Sequence, residues 1–256
     1  MKRLFFFCLM LACAPCALAQ SNLLYNGDFE LTQSEFYYDS QGTNQFGLPG
    51  WEAFANGDAN SYVQVFHDLS NWRLDLAGSD ADQPDFVGLA GLQTAVSNRV
   101  VVIPGKAYYA TLTYDNEEPA GVSFFIDWFN GGGNNFASVG GSLEDPNPLV
   151  FAPFTQRFAI SGIAPSNATR AGVRIVCSNP DFVTATADNF VFGIQPVLTI
   201  TRTGMNVVLS WTNGPSFRLQ QKNDLSQPPG WTDLGSQNPQ TNAISSSKAF
   251  YRLIGP

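Results

Sequence analysis

Asn22-Leu23-Leu24-Tyr25-Asn26-Gly27-Asp28-Phe29-Glu30 is a short apolar stretch ending in a glycine, an aromatic ring and an acid, and it reads as the opening strand of a β domain. The pattern continues outward from it. Tyr108 to Tyr114 follows the turn signal Pro104-Gly105 and alternates cleanly, which places Tyr108, Ala110, Leu112 and Tyr114 on one face. Val122 to Phe129, Phe154 to Ile160, Ala171 to Cys177 and Asn189 to Ile194 read as further strands, separated by loops rich in Gly and Asn. Neither a helix nor a tandem repeat is expected.

Composition points the same way. Charged residues make up 13% of the chain where about 25% is usual, while phenylalanine alone numbers 21. Few strong helix formers, many turn residues and frequent aromatic or β-branched runs specify a mostly β protein.

Residues 1–19 have the three-part plan of a secretory leader: Lys2 and Arg3, an apolar run from Leu4 to Ala12, and Ala17-Leu18-Ala19 as the cleavage site. The run is too short for a permanent anchor, and no later segment reaches the roughly 20 apolar residues of a membrane span. Removal of Lys2 and Arg3 leaves 11 basic against 21 acidic residues, a formal charge of −10. Such a balance opposes nucleic acid and anionic lipid as partners. Cys8, Cys13 and Cys16 leave with the leader, so Cys177 stays alone and no intrachain disulfide can form. A lipidated Cys13 is the rival reading. The expected location is extracellular, with the bacterial cell surface as a variant of it.

The stretch 22–30, followed by Leu48-Pro49-Gly50-Trp51, Pro104-Gly105-Lys106-Ala107-Tyr108 and Ala187-Asp188-Asn189-Phe190-Val191, resembles the landmarks of secreted galactose-binding-like jelly rolls. The likeness is to modules of the carbohydrate-binding family 4/9 and DUF642 kind. It implies an all-β jelly-roll sandwich over residues 20–195, a glycan ligand, and Trp51 packed inside the sandwich. It also implies a structural Ca²⁺ joining Glu30 of the first strand to Asp188 at the start of the last, although Asn189 stands where a second Asp is common. The rival reading of Asp28, Glu30 and Asp188 is that they cap strand ends.

At Gln195-Pro196 the strand pattern restarts. Val197 to Thr201, Asn206 to Trp211, Phe217 to Gln220, Trp231 and Phe250 to Leu253 outline a second small β unit over residues 196–256. It resembles the fibronectin-III-like or immunoglobulin-like module common at the ends of exported bacterial proteins, which implies core roles for Trp211 and Trp231. A unit this small without a disulfide is marginal alone, and docking on the first domain or on a protein partner is a natural way to support it.

Chemistry has few candidate residues. One histidine, His67, and one remaining cysteine exclude His-based triads and Cys- or His-rich metal sites. Both read as structural residues. Glu117 and Glu118 are adjacent in a turn, and Asp80, Asp82 and Asp85 lack the glycine and distal Glu of an EF-hand loop, so both groups read as solvated.

Val122 to Phe129 is the stretch most suggestive of a ligand. With Val122, Phe124, Ile126 and Trp128 turned inward, Ser123, Phe125, Asp127 and Phe129 face outward. The opposite assignment buries Asp127 without a partner, at a cost of several kcal/mol or so. Two apolar rings flanking a carboxylate suit a pyranose, which stacks on an aromatic and donates its hydroxyls to an acid. Trp72 and Tyr37, in polar surroundings, are expected to approach the same sugar. The competing reading makes the stripe an interface with the second unit, or places a β-bulge there that buries both Phe rings. The leading functional expectation is a non-catalytic exported carbohydrate-binding protein. A structural or adhesive surface protein is the alternative, and a carbohydrate-active enzyme using Asp127 with a second carboxylate is the third reading.

Overall fold

The computed structural model describes residues 22–32, 34–41, 47–56, 61–68, 71–78, 88–116, 121–143, 156–179, 183–212, 217–226, 230–243 and 249–254. Residues 1–19, read from the sequence as a leader, the acidic stretch around Asp80, Asp82 and Asp85, and the pair Glu117 and Glu118 lie outside these residues. The chain divides into two compact units, one spanning Ser21–Gln195 and the other taking in Pro196–Pro256.

The first unit is a jelly-roll β-sandwich. Its strands are β1 (Phe36–Asp39), β2 (Trp51–Asn56), β3 (Tyr62–Asp68), β4 (Asn71–Gly78), β5 (Gly88–Thr94), β6 (Val100–Val101), β7 (Ala107–Asn116), β8 (Val122–Phe129), β9 (Asn135–Ser142), β10 (Gln156–Ile163), β11 (Arg170–Asn179) and β12 (Val183–Ile194). One sheet has the order β1-β3-β4-β12-β7-β10, and the other has the order β2-β5-β11-β8-β9 with β6 beside β11. Each pairing is antiparallel. Neighbours in the sheets are mostly remote in sequence, so chain crossovers between the layers close the sandwich.

Alternation decides which residues meet between the sheets. Tyr108, Ala110, Leu112 and Tyr114 of β7 are all buried, as their spacing predicts, and Val122, Phe124, Ile126 and Trp128 of β8 face them from the other sheet. The Tyr108 ring stacks on Phe192 at 5.4 Å and meets Trp128 edge-on at 5.9 Å. Each such side chain contributes about 1.5–3 kcal/mol by leaving water. Cys177 is buried at the end of β11, and His67 is exposed at the end of β3 with its ring edge-on to Trp72.

The opening stretch departs from the sequence reading. Residues 22–30 form turns and bends, not a ladder strand, and Asn26 and Phe29 adopt φ values of 55° and 59°. The turn formers Asn26, Gly27 and Asp28 explain this. The segment still follows the last strand. Leu23 N–H donates to the Phe192 carbonyl at 2.9 Å and Phe190 N–H to the Gly27 carbonyl at 2.8 Å. The Asn22 side chain adds a fork, donating to Phe190 O at 2.6 Å and accepting from Phe192 N–H at 3.0 Å. It grips β12 where the register breaks between Asp188 and Val191, with Asn189 at φ 53°. The bulge drives Phe190 into a cluster with Phe29 at 5.6 Å, Trp51 at 5.3 Å and Phe124 at 5.8 Å. Trp51 lies buried there and donates its indole N–H to Asn26 O at 2.9 Å. Gly27 has no substitute in this packing, because a Cβ at that position would strike the Phe190 carbonyl and the Asn22 amide.

The second unit consists of β13 (Leu198–Thr203), β14 (Asn206–Trp211), β15 (Arg218–Lys222), β16 (Thr232–Gly235), β17 (Gln240–Ala243) and β18 (Phe250–Ile254). They form two three-stranded sheets, β13-β14-β17 and β16-β15-β18. Among its described residues the buried apolar side chains are Leu209, Trp211, Phe217 and Leu219. Trp231 is a correction to the sequence reading: it is half-buried, beneath the Arg252 guanidinium at 4.3 Å.

Candidate functional site

On β8 the core takes every second side chain, so Ser123, Phe125, Asp127 and Phe129 lie on the far face of the sheet. Register then fixes their neighbours. On β11, Arg174 is opposite Phe125, Gly172 opposite Asp127 and Arg170 opposite Phe129. On β9, Gly140 is opposite Phe125 and Ser138 opposite Asp127. Arg174 continues to Gln93 of β5, and Gln93 to Glu52 of β2. The row Gly140, Phe125, Arg174, Gln93, Glu52 therefore crosses the whole sheet, about 19 Å at the usual strand spacing.

The facing of the stripe agrees with the sequence reading, but its expected exposure does not. Asp127 is only 2% exposed. Arg174 clamps it with two prongs, Nε to Oδ2 at 2.7 Å and Nη2 to Oδ1 at 3.1 Å, and the Ser138 hydroxyl donates to Oδ1 at 2.6 Å. Outward direction and solvent exposure are separate properties here, because neighbours on the same face cover the carboxylate. A bidentate guanidinium–carboxylate pair is among the strongest polar contacts available to side chains.

The two rings are covered as well. The guanidinium carbon of Arg174 lies 4.5 Å from the Phe125 centroid, and that of Arg99 lies 3.5 Å from the Phe129 centroid. Phe129 is 5% exposed and Phe125 is half-buried. Phe125 lies down over Gly140, where any Cβ would collide with the ring. Each outer ring is thus sandwiched between the sheet and a cation, an arrangement worth about 0.5–2 kcal/mol per pair. What faces solvent is guanidinium edge more than bare aromatic face.

Arg99 follows the short 3-10 turn Val96–Asn98, and its Nη1 donates to Gly133 O at 2.9 Å. Burial lowers its pKa from the ordinary guanidinium value, opposed by the charges of Glu52 and Asp127. Arg170 Nη1 donates to the Arg99 carbonyl at 3.0 Å, which ties the start of β11 to the same corner. Glu52 accepts from Gln93 Nε2 and from Val96 N–H, each at 3.3 Å. The face can therefore present several fixed donors to a ligand rich in oxygen.

Tyr37 and Trp72 lie elsewhere. Tyr37 is on β1 in the opposite sheet, half-buried and stacked on Tyr62 at 5.7 Å. Trp72 is on β4 of that same sheet and packs against the core on the side of Leu74 and Leu76. Neither is a loop residue next to Phe125, contrary to the sequence reading. Both were placed by local polarity, whereas their sheet is decided by pairing with distant strands.

Glu30 and Asp188 fall in one neighbourhood. Glu30 Oε1 accepts the Trp72 N–H at 3.2 Å, and Leu74, two residues on, is opposite Ala187. Asp188 is buried; its Oδ1 accepts Asn189 N–H at 2.6 Å and its Oδ2 accepts Asn189 Nδ2 at 3.0 Å. No group of three His, Cys, Asp or Glu side chains gathers among the described residues. Two carboxylates fit Ca²⁺, which takes six to eight oxygens, only with main-chain carbonyls and water completing the shell.

Sequence reasoning missed Arg174, Arg99, Arg170 and Ser138. Arg174 left a signal, since it is a lone charge inside the apolar run from Ala171 to Cys177. An alternating strand puts that charge on the outer face, where it needs an acid. The other three carry no local signal.

Several solved structures are similar to the chain. The enzymatically active domain of tailspike protein 4 from bacteriophage CBA120 matches at 14% identity and a TM-score of 0.47, over 68% of this chain and 21% of that one. TmCBM61, solved in complex with beta-1,4-galactotriose, matches at 15% identity and a TM-score of 0.41, over 68% of this chain and 99% of that one. The adhesin domain of Epf from Streptococcus pyogenes matches at 12% identity and a TM-score of 0.34, over 89% of this chain and 86% of that one. The chain thus spans about a fifth of the tailspike domain and nearly all of TmCBM61. No protein-family model and no curated protein matches the sequence.

Proposed function

We propose that this chain is an exported, non-catalytic carbohydrate-binding protein whose ligand lies on the outer face of the sheet β2-β5-β11-β8-β9. The observation that carries the reading is the Asp127–Arg174–Ser138 cluster on the solvent side of a sandwich. A face that only meets water gains little from a covered ion pair, whose desolvation offsets much of its attraction. The cluster does, however, hold a guanidinium rigidly at the surface. Rigid donors lose little entropy on meeting hydroxyls, which suits a polar ligand with many weak contacts.

Asp127 and Ser138 act as positioning residues, and Arg174 with Phe125 provides the contact surface. The Arg174 side chain stays 25% exposed, and the edge of its guanidinium turned away from Asp127 is the part proposed to donate to a ligand. The enzymatic reading has less support, because Asp127 is covered and already accepts three hydrogen bonds from Arg174 and Ser138. The adhesive reading predicts that the same face binds protein and no glycan. A glycan array probed with the mature chain separates the two: retention of a polysaccharide, lost in Arg174→Ala, supports glycan binding. Retention that is unchanged in Arg174→Ala would move the site to another surface.

The proposal includes a structural Ca²⁺ at Glu30 and Asp188. Those two side chains would supply its charged ligands, and the ion would tie the turn 26–30 to the bulge in β12.

A further inference from the structure

From the charge distribution on this face we infer that the ligand is an anionic polysaccharide, one bearing carboxylate or sulfate groups. The inference rests on the binding face just proposed and names the chemistry that face would select.

Three guanidiniums gather there in a chain whose formal charge is −8. Arg170 and Arg174 point the same way from β11, four residues apart, which is about 13 Å along an extended strand. Arg99 lies beside the same corner, over Phe129. Against them the described residues of the face set two carboxylates, Asp127 and Glu52. Asp127 is paired with Arg174, whereas Glu52, bonded only to the neutral Gln93 amide and Val96 N–H, keeps its charge, so three guanidiniums against two carboxylates leave these described groups a net +1. The only described ion pair made by these arginines is that of Arg174 with Asp127. Arg99 and Arg170 bond instead to main-chain carbonyls, which leave a cation's charge unneutralised. Arg99 Nε is buried and meets no acceptor among the described residues.

Neutral hydroxyls do not call for this arrangement. A guanidinium presents a planar fork that matches a carboxylate or sulfate in two-point contact, and arginine is the side chain suited to that geometry. With Nε and Nη2 of Arg174 engaged by Asp127, the Arg170 guanidinium and the outer edge of Arg174, separated along one strand, match anions repeated along a polymer better than a single small anion. The negative charge of the rest of the chain does not forbid this, since at physiological salt charges further apart than about 8 Å are largely screened. It does limit the pull at a distance, so binding depends on close contact.

The test uses the full mature chain and measures affinity for four probes: polygalacturonate, the same polymer fully methyl-esterified, a sulfated polysaccharide and a neutral β-glucan. The expected result is binding to polygalacturonate or to the sulfated polymer at least about tenfold tighter than to the esterified and neutral ones, as suits one charge-assisted contact. The preferred member of that pair identifies the anion. Affinity should fall severalfold when salt rises from low to several hundred millimolar. Arg170→Gln, at an exposed position, should weaken anionic binding several-fold with an unchanged melting temperature, and Arg99→Gln should do the same even if it lowers stability. Equal binding of neutral and anionic polymers, or indifference to Arg170→Gln, would overturn the anionic inference while leaving glycan binding in place. Binding to none of the four, together with a blank glycan array, would overturn both.

Discussion

Removing either partner of the Asp127–Arg174 pair should destabilise the first unit, and by unequal amounts. In Arg174→Ala the Asp127 carboxylate, with 3% of its side chain exposed, is left with the Ser138 hydroxyl as its side-chain donor. Breaking a buried pair from one side costs about 3–5 kcal/mol, and the 25% exposure of Arg174 places this one at the low end, about 3 kcal/mol. Asp127→Asn keeps the shape and a bond to Ser138, and the freed arginine head can turn to water, so its loss is about 1–2 kcal/mol. The double variant leaves no stranded charge and should lose about 2 kcal/mol, well short of the sum. In a unit of this size each kcal/mol shifts the melting temperature by about 2–4 °C, so Arg174→Ala should melt about 6–12 °C lower. Urea unfolding of the wild type, the two single variants and the double variant completes a double-mutant cycle. If the single losses add to the double within about 0.5 kcal/mol, the pair does not exist in solution and the site built on it fails.

Gly27→Ala should lower stability by about 1–3 kcal/mol, visible as an early thermal transition, because the new Cβ meets the Phe190 carbonyl and the Asn22 amide; an unchanged transition would show that the turn 26–30 does not pack on β12. Ca²⁺ added to chelator-treated protein should raise the melting temperature by mass action, and the increment should vanish in Asp188→Ala even though that variant starts lower. A melting curve indifferent to Ca²⁺ in the wild type would remove the ion from the proposal. Tyr37→Ala, on the other sheet, should leave affinity for the retained polysaccharide within about twofold, whereas Arg174→Lys, which trades the fork for a point charge, should weaken it several-fold. A large loss in Tyr37→Ala would shift the ligand to the β1-β3-β4 face.

How far the sequence carries can be judged from particular residues. Alternation over Tyr108–Tyr114 and Val122–Phe129 assigns both faces correctly, since period-two patterning is a local property that the core enforces. Residues 22–30 were legible as a landmark but not as a conformation, because their course follows the bulge at Asp188–Val191, far along the chain. Asp127 was legible as outward and not as covered. The choice between an exposed acid and a buried unpaired one omitted a third state, a carboxylate roofed on the outer face by an arginine 47 residues away. The sheet membership of Tyr37 and Trp72 belongs to the same class of question, answered only by long-range strand order.

The Asn22 fork bears on when the protein can fold. It joins the main chain at Phe190 across a sequence separation of 168 residues, so the first described residue finds its partner only after almost the whole unit has been made. Closing a loop of that length costs about 4–5 kcal/mol of chain entropy before any contact rewards it. Folds dominated by such distant pairings form in milliseconds to seconds, slower than helical bundles by orders of magnitude. Were the chain exported as proposed, a partly emerged polypeptide would lack the strand that its own beginning must grip, and would stay unfolded while it is threaded outward.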